Sequence, residues 1–300
     1  MAKLKGIINV NGRIEAIDQA KVPVMDHGFL YGDSIYETSR TFQGFPFQLQ
    51  EHIRRLFHSA AYLKLNLPWT PEMIMDRILK TQLHYWKKYK NKEDVYIRVI
   101  ISRGFGDIGF DLHLCPSPTL IIIVKELTPI PPERYQTGLH IALVKTIRNH
   151  PKALDPNVKT GNYLNNILAY LEAKHEKAED ALLENDKGQL TECTRSNLFL
   201  IKDGKLHTPS LDSGILRGLT RELVIQTAKE QGFDVLENHL TAEDLFSADE
   251  CFICSSLQAI MPVTRCNHKA IGTGRPGPIT TNLMGHFKKA MTKHIAEVFC

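Results

Sequence analysis

Three prolines within five residues, Thr128-Pro129-Ile130-Pro131-Pro132, constrain this chain more than any other feature. Proline lacks the amide donor and clashes with the preceding turn, so such a run cannot lie inside a helix or a central strand. It reads as a linker, residues 128–136, between a small amino-terminal domain (1–127) and a larger carboxy-terminal one (137–300). At 300 residues the chain is long enough for two ordinary domains. Strand and helix patterns follow one another irregularly in both halves, which implies two α+β domains.

In the first half, Asn11-Gly12 between Gly6–Val10 and Arg13–Ile17 predicts a tight hairpin, because Asn-Gly suits left-handed turn angles. Ser34–Phe42 and Phe45–Leu49 form a second strand pair about Gln43-Gly44. Ile53, Leu56, Phe57 and Ala60 recur at helical spacing within Glu51–Leu63. Pro71, after a capping Thr70, opens a helix that runs to Trp86. Val95–Ser102 and Thr119–Val124 are strands. In the second half, Leu139–Ile147, Ala181–Leu183, Leu190, Asn197–Ile201, Cys251–Ser255 and Ala259–Val263 read as strands. Asn162–Lys177 is an amphipathic helix with Leu164, Ile167, Leu168 and Leu171 on its apolar face. Leu219–Gln231, stopped by Gly232, and Thr280–Val298 are further helices.

The net charge of +4 is small and the Lys and Arg residues are dispersed among acids, so no nucleic-acid partner is expected. The run Lys87–Lys92 reads as a solvated helix end. No stretch approaches the roughly 18 apolar residues that span a bilayer. No secretory-type segment opens the chain, so a cytoplasmic protein with reduced thiols is expected. Cys251 and Cys254 form a C-x-x-C pattern within a strand. Strand residues three apart face opposite ways, which argues against a metal or redox pair.

Lys159 ends the loop Asp155-Pro156-Asn157-Val158 and precedes the amphipathic helix, a place where a lysine can serve as a nucleophile. The segment Val158-Lys159-Thr160-Gly161-Asn162-Tyr163-Leu164-Asn165-Asn166 resembles the lysine segment of the fold-type IV pyridoxal-phosphate enzymes. Further motifs follow in that family's order. They are His27–Glu37, Glu51-His52-Ile53-Arg54-Arg55-Leu56, Leu190–Phe199, Gly218-Leu219-Thr220-Arg221 and Ser255-Ser256. The resemblance runs from about Asn9 to Pro278.

The resemblance implies a two-domain fold-type IV enzyme with its active site at the domain interface and pyridoxal 5′-phosphate as cofactor. Lys159, on the larger domain, is expected to form the Schiff base and carry the proton between the substrate α-carbon and the cofactor C4′. Glu192 is expected beside the pyridine nitrogen, where a carboxylate favours the protonated ring. Tyr163 would meet the ring's 3′-oxygen, and Leu206 would pack on the ring. Arg55, Leu219, Thr220 and Ser256 would hold the phosphate, with free amides at a helix start assisting.

Substrate contacts are expected from Tyr31, Tyr36, Thr38, Arg40, Tyr96, Arg98, Arg195 and Leu257. Tyr31 corresponds to a residue that reaches into a neighbouring subunit, which implies a homodimer or larger homo-oligomer. The Tyr96-Ile97-Arg98 run is similar to that of branched-chain aminotransferases. The implied reaction is ping-pong transamination between a branched-chain L-amino acid and 2-oxoglutarate. Thr38 stands where such enzymes often carry glycine, and Arg195 stands where small residues are common. A second cation near the cofactor keeps D-amino acid transamination open. Aminodeoxychorismate lyase and (R)-amine transaminase activities are the remaining alternatives on this scaffold.

Overall fold

The computed structural model describes residues 4–299, which divide into two compact units. The first runs to Thr128 and takes in Val158–Asn162 and the chain from His294. The second holds Pro129–Asn157 and Tyr163–Lys293.

Unit one contains β1 (Gly6–Val10), β2 (Arg13–Ala16), α1 (His27–Tyr31), β3 (Ser34–Phe42), β4 (Phe45–Pro46), α2 (Leu49–Tyr62), α3 (Pro71–Tyr89), β5 (Val95–Ser102) and β6 (Thr119–Glu126). Its six strands form one sheet in the order β2-β1-β6-β5-β3-β4, and every pairing is antiparallel. Alternation divides the side chains between two faces. Ile7, Ile35, Ile97, Ile101, Ile122 and Val124 meet Ile53 and Leu56 of α2 and Ile74 and Ile78 of α3 in the core. Each such burial stabilises the fold by roughly 1.5–3 kcal/mol. Tyr36, Thr38 and Arg40 alternate onto the other face of β3, with Thr38 opposite Arg98 and Arg40 opposite Tyr96.

α3 begins as expected, with Pro71 in its first turn and Thr70 Oγ1 accepting from Met73 N. It continues a turn past Trp86. The Tyr85 and Tyr89 rings pack at 4.8 Å, and the Tyr89 hydroxyl donates to Gly6 O.

Unit two contains α4 (Pro132–Thr137), β7 (Leu139–Leu143), α5 (Leu164–His175), β8 (Asp180–Glu184), β9 (Leu190–Cys193), β10 (Asn197–Lys202), β11 (Lys205–Pro209), α6 (Leu219–Glu230), β12 (Val235–Asn238), α7 (Ala242–Phe246), β13 (Glu250–Ser255), β14 (Ala259–Cys266), β15 (Lys269–Ala270) and, as far as Lys293, α8 (Pro278–Phe299). The strands run β12-β11-β10-β13-β14-β7-β8-β9, and β9 returns to pair with β10. Six strands therefore close into a ring, and the closing pair is Glu192 opposite Asn197. Leu182, Leu198, Leu200, Ile253, Met261 and Val263 fill the core of this unit.

Several expectations are corrected. The linker 128–136 is partly helical, because α4 starts at Pro132, where a first-turn proline forfeits no helical hydrogen bond. The segment Val158–Asn162, which carries Lys159, groups with unit one. It docks on β3 through Tyr36 N to Lys159 O (2.9 Å), Gly161 N to Ser34 O (2.8 Å) and a bridge between Ile35 and Thr160. α5 is shorter than expected and buries Asn166, Ala169 and Ala173, while Leu164, Ile167, Leu168 and Leu171 are half exposed or more. Small side chains decide this. Ala169 and Ala173 pack with Ala142 and Ala181 of the sheet, a close approach that leucines would obstruct. β11 and β12, short and ending near Pro209, escaped the strand pattern.

The five described cysteines are free, and Cys251 and Cys254 are both buried in β13. Burial pushes both thiols well above their ordinary range, which suits packing rather than reactivity. Among the described residues no group of His, Cys, Asp and Glu can hold a metal ion. No described helix is long and apolar enough to cross a membrane.

Candidate active site

In unit one the chemistry gathers around β3. The Lys159 backbone is held on two sides: its O accepts from Tyr36 N, and its N donates to Ser59 Oγ of α2 at 3.2 Å. The Lys159 Nζ lies 4.5 Å from the Tyr36 ring centroid, and the Arg98 guanidinium lies 3.9 Å from the same centroid. A tyrosine ring thus draws two cations to one place through its quadrupole.

Glu37, one residue on, alternates to the helix side of β3 and is 2% exposed. An ionised carboxylate there needs partners. Arg55 supplies Nε at 2.6 Å and Nη2 at 2.8 Å, and His52 Nδ1 donates at 2.7 Å. Burial pushes the Glu37 carboxyl up, but the charge and hydrogen bonds of Arg55 and the bond from His52 outweigh it and hold it at about 2. His52 and Arg55 reach the same carboxylate because they sit three apart on α2.

The remaining unit-one residues have varied settings. Thr38 pairs with Arg98 across the strands. Arg40 is engaged by Asp94 at 3.4 Å and by its neighbour Thr41 O. Tyr96 lies under the Lys125 ammonium at 5.0 Å. Tyr31 ends α1 against His27 and Phe110, and its hydroxyl accepts from Gly109 N.

In unit two Glu192 closes the strand ring. Its Oε1 accepts from Arg148 Nη2 at 2.8 Å, and its Oε2 accepts from Leu216 N at 3.1 Å and Asn197 Nδ2 at 3.2 Å. Arg148 also donates to Asn166 Oδ1 on α5. Tyr163 stands at the start of α5. Leu219 and Thr220 form the first residues of α6, whose cap, Gly218, offers no side-chain oxygen to the helix amides. Thr220 is 3% exposed, and its Oγ1 has no hydrogen-bond partner among the described residues. A Cβ on Gly218 would sit 2.0 Å from Asn197 Oδ1, so only glycine lets the helix start this close to the Glu192 network. Ser256 and Leu257 occupy the turn between β13 and β14, braced by Tyr135 donating to Gln258 O.

Leu206 and Arg195 occupy contrasting settings. Leu206 is buried inside β11, opposite Ile201, and the backbone amide of Leu216 donates to Glu192. Arg195 is exposed in the β9–β10 turn, with its guanidinium 5.6 Å from the Tyr170 ring. Sequence reasoning also missed Arg148, Asn197 and Glu37. Asn197 and Glu37 lay inside recognised motifs. Arg148 gave no local signal, because its partner is 44 residues away.

These residues fit pyridoxal 5′-phosphate. By residue type, Lys159 would offer the amine, and Glu192 would offer an anion for a protonated pyridine. The uncapped start of α6, with an unpartnered buried hydroxyl, suits a phosphate.

Comparison with known proteins agrees. The profile of the amino-transferase class IV family matches residues 34–266. A Methanocaldococcus jannaschii protein inferred to be a branched-chain-amino-acid aminotransferase is 39% identical over 292 residues, covering 97% of this chain and 99% of that one. A D-alanine aminotransferase of Listeria monocytogenes is 32% identical over 296 residues, covering 96% and 97%. Among solved structures, the T.th. branched-chain amino acid aminotransferase with pyridoxamine 5′-phosphate superposes with a TM-score of 0.88 at 28% identity, covering 98% of this chain and 96% of that one. The chain therefore belongs to the class IV aminotransferases, enzymes that work with pyridoxal 5′-phosphate.

Proposed function

We propose that this enzyme transfers the amino group of a branched-chain L-amino acid to 2-oxoglutarate. The observation that carries the reading is the stack of Arg98 on Tyr36 beside the Lys159 amine. It sets a fixed cation next to the reacting nitrogen, as a substrate with a second carboxylate requires. Beside the stack, Ile100 stands opposite Tyr36, and Ile123 stands opposite Arg98. These side chains suit an aliphatic substrate that lacks a second carboxylate. Arg195, the residue that favoured a D-amino acid, is engaged over Tyr170.

Bound pyridoxal 5′-phosphate supplies an electron sink for the carbanion formed at the substrate α-carbon. Lys159 Nζ would hold the cofactor and would move the proton from the substrate α-carbon. Glu192 would keep the ring nitrogen protonated, with Arg148, Asn197 and Leu216 N fixing its carboxylate. Tyr163 would meet the 3′-oxygen. Arg55, Leu219, Thr220 and Ser256 would hold the phosphate. Arg98 would bind the γ-carboxylate of glutamate, and Thr38 would narrow the space beside it.

The exposed Phe29, Phe105, Ile108 and Phe110, the last packed on Tyr31, support a homodimer, since exposed apolar side chains favour association. A fully active monomer in sedimentation would reject that part.

Stopped-flow absorbance of the cofactor with L-leucine, L-glutamate or D-alanine, each alone, tests the substrate. L-leucine and L-glutamate are expected to convert it, and Arg98→Ala to slow glutamate at least about tenfold more than leucine. D-alanine as the best substrate, with uniform loss in Arg98→Ala, would replace this reading with a D-amino acid one.

A further inference from the structure

Glu37 lies in a recognised motif, yet no step above uses it. Its carboxylate points away from the Tyr36–Arg98 face, into the helix side of unit one, and is 2% exposed. An arginine needed only as a surface cation would have no reason to recruit a buried anion. Here the guanidinium is gripped along one edge, Nε and Nη2 each bonded to a separate Glu37 oxygen, and His52 holds the second oxygen from one turn earlier.

The same two elements hold Lys159. β3 binds the lysine's carbonyl through Tyr36 N, next to Glu37 in the chain. α2 binds the lysine's amide through Ser59, one helical turn beyond Arg55. The reactive lysine and the arginine are therefore both referenced to one strand–helix pair. A cofactor attached to Lys159 with a phosphate at its far end needs that spacing fixed.

We infer that Glu37 is a positioning residue: with His52 it orients the Arg55 guanidinium toward the cofactor phosphate. The inference rests on the reading that Arg55 meets that phosphate. The geometry favours orientation over simple charge. As a bare charge, the Glu37 anion would oppose a phosphate. As a fork, it removes rotamer freedom that an arginine would otherwise lose on binding.

The test compares two probes, pyridoxal 5′-phosphate and pyridoxal, which differ only in the phosphate. Both are titrated onto the full chain stripped of cofactor, and the ratio of their dissociation constants is the readout. A general loss of folding weakens both probes alike and leaves the ratio unchanged. Glu37→Gln is expected to lower the preference for the phosphate ester about tenfold, the scale of freeing one arginine side chain. Glu37→Asp keeps the charge but withdraws the fork by one methylene, and it is expected to lower the preference as well.

An unchanged ratio in both variants overturns the inference and leaves Glu37 a structural counterion. A raised preference in Glu37→Gln also overturns it, since Glu37 would then act only as an opposing charge. Arg55→Lys separates the underlying reading. If its ratio is unchanged, Arg55 does not meet the phosphate, and that reading fails first. If its ratio falls while those of the Glu37 variants hold, only the positioning role fails.

Discussion

Acid should weaken unit one through Glu37 in a way that one substitution removes. The carboxyl is held at about 2 in the folded chain, against an ordinary value of 4.5. The difference, 4.5 − 2 = 2.5 pH units, corresponds to about 3 kcal/mol. A depressed folded value means that the unfolded chain binds the proton first. The stabilisation is therefore complete above about pH 5 and drains away as the pH falls toward 2. At pH 3 the unfolded group is almost wholly protonated and the folded one is not, so about 2 kcal/mol of the contribution is gone. Urea unfolding of the parent and of Glu37→Gln at pH 7 and pH 3 isolates this group, because the other carboxylates are common to both. The variant is less stable at pH 7, since Arg55 loses a buried partner. Its further loss on going to pH 3 should be smaller than the parent's by about 2 kcal/mol. Parallel losses in the two proteins would refute the assigned pairing of Glu37 with Arg55 and His52.

Other perturbations read other parts of the structure. Arg148→Met removes the charged partner of Glu192 and should lower unfolding stability by about 2–4 kcal/mol; a double-mutant cycle with Glu192→Gln checks it, and a coupling near zero contradicts the pairing. Gly218→Ala would drive a methyl group into Asn197 Oδ1. It should destabilise by about 1–3 kcal/mol and weaken cofactor retention, measured by dialysis and absorbance. Arg195→Ala, at an exposed turn, should change stability by no more than about 0.5 kcal/mol and leave the relative rates on L-leucine and D-alanine as they were. Lys159→Ala should take up no borohydride-reducible cofactor, and a labelled peptide from elsewhere in the chain would move the assignment.

The sequence by itself determined the family, the α+β class and most of the elements. Its information was local. Thr70-Pro71 start α3 and Gly232 stops α6 because capping and left-handed angles involve only near neighbours. The motif around Lys159 was equally legible, since its residues are consecutive.

Tertiary structure decided which face or partner each residue met. The leucines of α5 share a stripe in sequence, yet the helix turns its alanines inward because the sheet surface beneath it is also alanine-rich. Arg148 meets Glu192 only when β7 and β9 enter the same closed ring, and Glu37 meets Arg55 only when α2 lies across β3. Lys159 joined unit one for the same reason. Its backbone found unpaired donors and acceptors on β3 and α2, and a buried peptide group goes where its hydrogen bonds can be made.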